Sequence, residues 1–169
     1  MSDFQRLYEG HAREVYSFAL FLSGDSALAD DITSETFMRV WTARDAVRIE
    51  TARAYLFAIA RNLYLDALRR RRPLAPVDES LPDGAPGPDA EAEGRSELRA
   101  VLAALQRLPE VDRAALVMRA QDGTPYEEIA AALGLSVAAA KVKVHRARLR
   151  LAEARDGRGP LPDMRKESR

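Results

Sequence analysis

Cysteine is absent from the 169-residue chain, which excludes disulfides and thiolate metal sites. No apolar run approaches the ~20 residues that span a bilayer. The opening MSDFQRLYEG lacks a basic-then-apolar signal pattern, so a cytoplasmic location without membrane insertion is expected. Neither sign of charge is in excess: 26 Lys and Arg balance 26 Asp and Glu. Read as an average, that neutrality argues against a nucleic-acid partner. Strand-like alternation is missing too, as are a nucleophile in a catalytic setting, a metal-binding cluster and a phosphate-cradling glycine loop. The expectation is an all-α protein that is not an enzyme and takes no cofactor, metal or small-molecule substrate.

What the chain does have is charge segregated along its length. The stretch Thr124 to Leu151 reads TPYEEIAAALGLSVAAAKVKVHRARLRL. Thr124 suits an N-cap, Pro125 the first helical position and Glu127 the third, which together predict a capping box. Ile129, Ala130 and Leu133 share one side of that helix, and Gly134 suits the left-handed position that ends it. Ser136 then caps a second helix running to about Ala154. Two helices on so short a turn predict a helix-turn-helix. In the second helix Ala140, Val144, Ala147 and Leu151 recur at steps of three and four and form a buried stripe. Lys141, Lys143, His145, Arg146, Arg148 and Arg150 occupy the rest, with no acid before Glu153. A solvated basic face is the plain alternative for a lone helix. Such faces mix both signs, however, and this one follows a capped partner helix. DNA binding through the major groove is therefore expected.

Upstream, Phe4, Leu7, Tyr8, Val15, Phe18 and Leu22 fall at helical spacing, with His11 as a packed or edge residue. Gly24 and Asp25 break that helix. The next, SALADDITSETFMRVWTAR, turns Leu28, Ile32 and Val40 inward and groups Asp31, Ser34, Glu35 and Met38 on another face. Acids near a helix start also complement its dipole, so part of this acidity has a structural alternative. After Asp45 to Glu50 comes a third helix, TARAYLFAIARNLYLDALRRRR. Its predicted stripe is Tyr55, Ile59, Leu63 and Ala67, leaving Arg61, Asn62, Asp66, Arg69 and Arg70 outside.

Residues 73–95 read PLAPVDESLPDGAPGPDAEAEGR, too polar to offset the entropy of ordering, and so predict a flexible acidic linker. Leu98, Val101, Leu102 and Leu105 restart the helical pattern. Pro109 opens a further helix with Val111, Ala114, Leu116 and Val117 that closes at Asp122-Gly123. The architecture expected is two small helical domains, 1–72 and 96–155, with an unstructured tail at 156–169. Fully extended, residues 73–95 reach at most ~75 Å, whereas a relaxed chain averages about 26 Å. DNA sites two helical turns apart lie ~70 Å from each other. Occupying both would require a third body to stretch the tether.

Three segments then carry a family resemblance: DDITSETFMRVW, ARAYLFAIARNLYLDALRRRR and LPEVDRAALVMRAQDGTPYEEIAAALGLSVAAAKVKVHRAR. Together they resemble bacterial RNA polymerase sigma factors, above all the two-domain extracytoplasmic-function (ECF) group of the sigma-70 family. The resemblance implies partners: core RNA polymerase, through the clamp of its largest subunit, and promoter DNA. An anti-sigma factor, common in the family, is a further candidate. The family's D-L-V-Q-E-type docking motif falls on Asp31, Ile32, Thr33, Ser34 and Glu35, with serine in place of glutamine. Polymerase binding is thus expected of Asp31, Ser34, Glu35 and Met38. The third helix resembles the one that melts and reads the −10 element, which implies Arg61, Asn62, Asp66, Arg69 and Arg70. The loop Asp45 to Glu50 resembles the base-capturing loop, while Tyr55 and Phe57 are expected in the core.

The helix from Val137 resembles the −35 reader, with Ala138-Ala139 in place of Gly-Thr and Val142 in place of a small polar residue. Hydroxyl donors are lost and methyl groups gained that suit thymine. Lys141, Val142, His145 and Arg146 are expected on base edges, with Lys143 and Arg148 on phosphates. Two other readings stay open on the residues alone: a DNA-binding regulator that does not touch polymerase, and a helical module that does not touch DNA.

Overall fold

Local chemistry sets several of the helix boundaries. The computed structural model describes residues 2–43, 52–71, 89–121 and 123–155. Among these every regular element is helical: α1 (Asp3–Ser23), α2 (Ser26–Thr42), α3 (Ala52–Arg71), α4 (Asp89–Gln106), α5 (Glu110–Ala120), α6 (Tyr126–Leu133) and α7 (Val137–Arg155). The loop at 45–50, the linker up to residue 88 and the tail 156–169 lie outside the described residues.

Ser2 caps α1, its hydroxyl oxygen accepting from Gln5 N–H at 3.1 Å. Gly24 ends that helix at φ 69°, a conformation open to glycine, and donates its N–H to Leu20 O. Asp25 then caps α2: Leu28 N–H donates to Oδ1 at 3.0 Å, and Arg71 Nη1 donates to Oδ2 at 3.0 Å. Partial burial resists ionisation of Asp25. The Leu28 hydrogen bond and the Arg71 contact outweigh it and hold the carboxyl below its ordinary value. A depressed folded-state value stabilises the fold fully above the unfolded value near about pH 3.9. That stabilisation disappears as pH falls through the lower folded value. Asp25→Asn is therefore expected to flatten the acid limb of a stability-versus-pH curve below about pH 4, as followed by helical circular dichroism.

α1, α2 and α3 pack on one another, and α5, α6 and α7 form a second bundle joined by α4. Leu7, Val15, Phe18 and Leu22 of α1 and Leu28, Ile32 and Val40 of α2 are buried as their spacing predicts. α3 departs from expectation. Its buried side runs through Leu56, Phe57, Ala60 and Tyr64, and Tyr55 of the expected stripe is exposed. Apolar residues surround this helix, so its periodicity has no single solution and packing against α1 and α2 decides. Phe57 is seated against Phe18, ring centroids 4.8 Å apart. α4 starts at Asp89, inside the stretch read as linker, because Asp-Ala-Glu-Ala-Glu after Pro88 supplies helix formers and N-terminal acids. Of its expected stripe Leu102 and Leu105 are buried, whereas Leu98 and Val101 are exposed.

One buried cluster runs through both bundles. Arg113 of α5, 6% exposed, is its polar centre. Nε donates to Leu105 O (2.9 Å) and Nη2 to Leu108 O (3.1 Å). Nη1 faces Leu22 O (2.6 Å), Tyr64 Oη (3.0 Å) and Gln106 Oε1 (3.2 Å). Gln106 Nε2 also donates to Leu22 O, at 3.1 Å. Carbonyls at the end of α1, at the end of α4 and in the turn after it thus converge on one guanidinium, with Gln106 sharing Leu22 O.

Candidate nucleic-acid interface

The turn between α6 and α7 fixes the presentation of α7. Gly134 sits at φ 66°, and Leu135 N–H donates to Ala130 O at 2.9 Å, closing α6. Ser136 caps α7 as expected, accepting from Ala139 N–H at 3.1 Å. The capping box at the start of α6 does not form. Thr124 is buried and donates its hydroxyl back to Gln121 O at 3.4 Å, while extended Pro125 occupies the cap position without a side-chain bond. The tight turn from α5 draws the threonine inward, so α6 begins one residue later, at Tyr126.

Ala140, Val144 and Ala147 bury the inner side of α7 against α5 and α6, with Leu151 partly buried below them. On the outer side Val142 is 50% exposed, and Lys141, His145 and Arg148 are exposed as well. Arg146 is half-buried at the edge of that face. Lys141 is drawn towards α6: its Nζ lies 5.7 Å from the centre of the Tyr126 ring. Arg119 covers the same ring at 4.4 Å and donates to Gly123 O and Thr124 O. Among the described residues, Lys143 is the one of the six expected DNA contacts with an ion pair inside the bundle, 3.5 Å from Asp112 Oδ1.

The residues expected at the −10 element are divided. Asn62, Arg69 and Arg70 are exposed on α3. Asp66 is half-buried and lies 3.4 Å from Arg69. Arg61 is engaged: Nε and Nη2 donate to the two carboxylate oxygens of Glu110 on α5 at 2.7 and 2.8 Å. Nearby, Arg53 pairs with Glu128 of α6 at 3.6 Å. The bundles therefore meet along the side of α3 that carries Arg61. The four residues expected at the polymerase, Asp31, Ser34, Glu35 and Met38, all lie exposed on one side of α2. Glu35 pairs with exposed Arg39 at 3.3 Å. Met38, 57% exposed, adjoins Phe37 and Trp41, whose rings pack with Phe4 and Tyr8 of α1.

Glu110, Asp112, Arg113 and Tyr126 are further residues of these contacts that the sequence motifs do not single out. The one available signal was the run PEVDR, two acids in the first turn of a helix that is otherwise mostly apolar. Among the described residues no helix is long and apolar enough to cross a membrane.

A helix-turn-helix with an uncovered cationic side, coupled to a second helical bundle with an acidic face, defines a transcription protein of two modules. Residues 7–73 match the family described as Sigma-70 region 2, and residues 98–151 match Sigma-70, region 4. The chain is 38% identical over 158 residues to the ECF RNA polymerase sigma factor SigE of Mycolicibacterium smegmatis, spanning 89% of this chain and 61% of that one. It is 32% identical over 143 residues to the ECF RNA polymerase sigma factor SigL of Mycobacterium tuberculosis H37Rv, covering 82% and 81% of the two chains. The fold is similar to that of the sigma factor RpoE in complex with the anti-sigma factor NepR from Bartonella quintana. The TM-score is 0.73 at 27% identity, over 92% of this chain and 98% of that one. The chain belongs to the ECF RNA polymerase sigma factors of the sigma-70 family, proteins that act with RNA polymerase in promoter-specific initiation of transcription.

Proposed function

We propose that this ECF sigma factor docks on the clamp of the polymerase largest subunit through Asp31, Ser34, Glu35 and Met38 of α2. It reads a −35 element with α7 and a −10 element with α3, as two domains bounded near 1–72 and 96–155. Bond-making belongs to the polymerase, and the protein works in the cytoplasm. The observation that carries this reading is the division of α7: its apolar stripe is buried and its cationic side is uncovered in a helix-turn-helix. Two elements two helical turns apart are ~70 Å from each other. The packed bundles therefore have to separate before both are occupied, and separation releases Arg61 from Glu110. A partner like the anti-sigma factor bound to RpoE is proposed as one that favours the packed form.

Run-off transcription with purified core enzyme tests the reading. A promoter-dependent product is expected with the chain and not without it; no product would leave at most a DNA-binding regulator. Within the −35 contacts, Arg146→Ala is expected to weaken holoenzyme binding by ~1–3 kcal/mol and to relax selectivity at one base position. An equal loss on matched and random −35 sequences would make Arg146 a phosphate contact instead.

A further inference from the structure

Asp112 lies in the first turn of α5 and is 0% exposed, yet neither carboxylate oxygen has a hydrogen-bond partner among the described residues. Its partner in charge is Lys143 of α7, with Nζ 3.5 Å from Oδ1 and 21% of the side chain exposed. A carboxylate withdrawn from water is unfavourable unless a cation compensates it. The N-terminal dipole of α5 contributes, but a dipole does not choose one side chain of a neighbouring helix. Lys143 does. It stands three residues after Ala140 and four before Ala147, at the flank of the buried stripe. Val142 and His145 look outward instead.

That stripe is shallow, since two of its three buried members are alanines. Small side chains resist rotation of one helix on another only weakly. Side-chain tips lie about 5–6 Å from a helix axis, so a turn of about 20° moves them by ~2 Å. A shift of that size breaks a hydrogen bond to a base edge.

We infer that Asp112 and Lys143 are positioning residues for promoter recognition, an ion pair that fixes the rotation of α7 on α5 so that Lys141, Val142, His145 and Arg146 reach the −35 bases together. The inference rests on the reading of α7 as the −35 helix and replaces the phosphate contact expected of Lys143. Asp112, wholly enclosed, touches no DNA and acts through Lys143.

The test uses holoenzyme assembled from core polymerase and the full chain, titrated against promoter fragments with a matched or a scrambled −35 element over a range of salt. Lys143→Gln and Asp112→Asn are each expected to lower the matched-to-scrambled affinity ratio about tenfold, the scale of a lost base contact. The log–log salt slope should stay unchanged, because no phosphate contact is removed; losing one makes it shallower by about 0.9. Asp112→Leu combined with Lys143→Met keeps the interface filled, as apolar replacements of buried pairs usually do. Its expected loss of selectivity is therefore separable from unfolding, which circular dichroism monitors. A shallower slope for Lys143→Gln at an unchanged ratio overturns the inference, and so does a wild-type ratio in the double variant. A wild-type ratio of one would remove the −35 reading itself, whatever the variants do.

Discussion

Arg113→Ala is expected to lower the unfolding free energy of the chain by about 3–5 kcal/mol, the largest stability effect of any single side chain considered. The guanidinium lies within hydrogen-bond distance of three backbone carbonyls, a phenol and an amide, and is almost wholly enclosed. Truncation strands Leu108 O and removes one of two donors from Leu22 O and Leu105 O, which keep Gln106 Nε2 and Leu108 N–H. A buried acceptor left unmatched is worth about 1–3 kcal/mol, and each lost bond to a charged donor about 1.5–3 kcal/mol, before water or relaxation repairs part of it. Leu22 and Tyr64 belong to the first bundle, Arg113 to the second, and Leu105 and Leu108 to the end of α4 and the turn after it, so the loss is also felt at the junction. Denaturant unfolding of the full chain reads the effect as a fall in midpoint. Arg113→Lys should recover little of it, because one ammonium has neither the reach nor the planar spread to serve both helix ends. A change below about 1 kcal/mol would mean that solvent takes over the lost bonds.

Arg113 also marks the limit of what the sequence made legible. Elements held by near neighbours were readable: the break at Gly24 and Asp25, Gly134 as a left-handed end, Ser136 at a helix start, and the alternation of steps that buries Ala140, Val144 and Ala147. The acidic side of α2 was readable for the same reason, since residues three and four apart on one helix must share a face. Arg113 reaches Leu22 and Tyr64, 91 and 49 residues earlier in the chain, and nothing in PEVDR announces a guanidinium at the meeting of two helix ends. Asp112 and Lys143 likewise look like solvated charges until α5 and α7 are laid together. α3 failed for a different reason: with apolar residues on every side, several stripes satisfy a period of 3.6, and only the surrounding helices distinguish them. Thr124 failed because a local capping preference worth ~1 kcal/mol yields to burial in a tight turn.

The zero net charge takes on meaning once the bundles are seen together. Acids and bases are not interspersed at random. Glu110 meets Arg61, Glu128 meets Arg53 and Asp112 meets Lys143, each acid on α5 or α6 and each base on α3 or α7. Three cations are thereby engaged within the protein itself. Those left outward on α7 and α3, and the acids on α2, are the charges available for other molecules.

Among those, Asp31 and Glu35 carry the largest expected effect on assembly. Asp31→Ala with Glu35→Ala is expected to weaken binding to core polymerase by about 3 kcal/mol, roughly 100-fold, the scale of truncating charged groups that become desolvated at an interface. Thermal stability should barely move. Both side chains are exposed on α2, and the one ion pair lost among the described residues, Glu35 with Arg39, belongs to a class worth about 0–1 kcal/mol. Ser34→Gln gives the complementary arm. It restores the longer amide that the docking-motif resemblance implies at this position and should tighten the same complex several-fold, because Ser34 is exposed on the side of α2 that carries Asp31 and Glu35. Fluorescence anisotropy of labelled chain against core enzyme measures both variants, alongside a melting curve of each free chain. A double variant that melts several degrees lower while binding core normally would assign these carboxylates to the stability of α2, although neither lies in its first turn, and would leave polymerase recognition to another face.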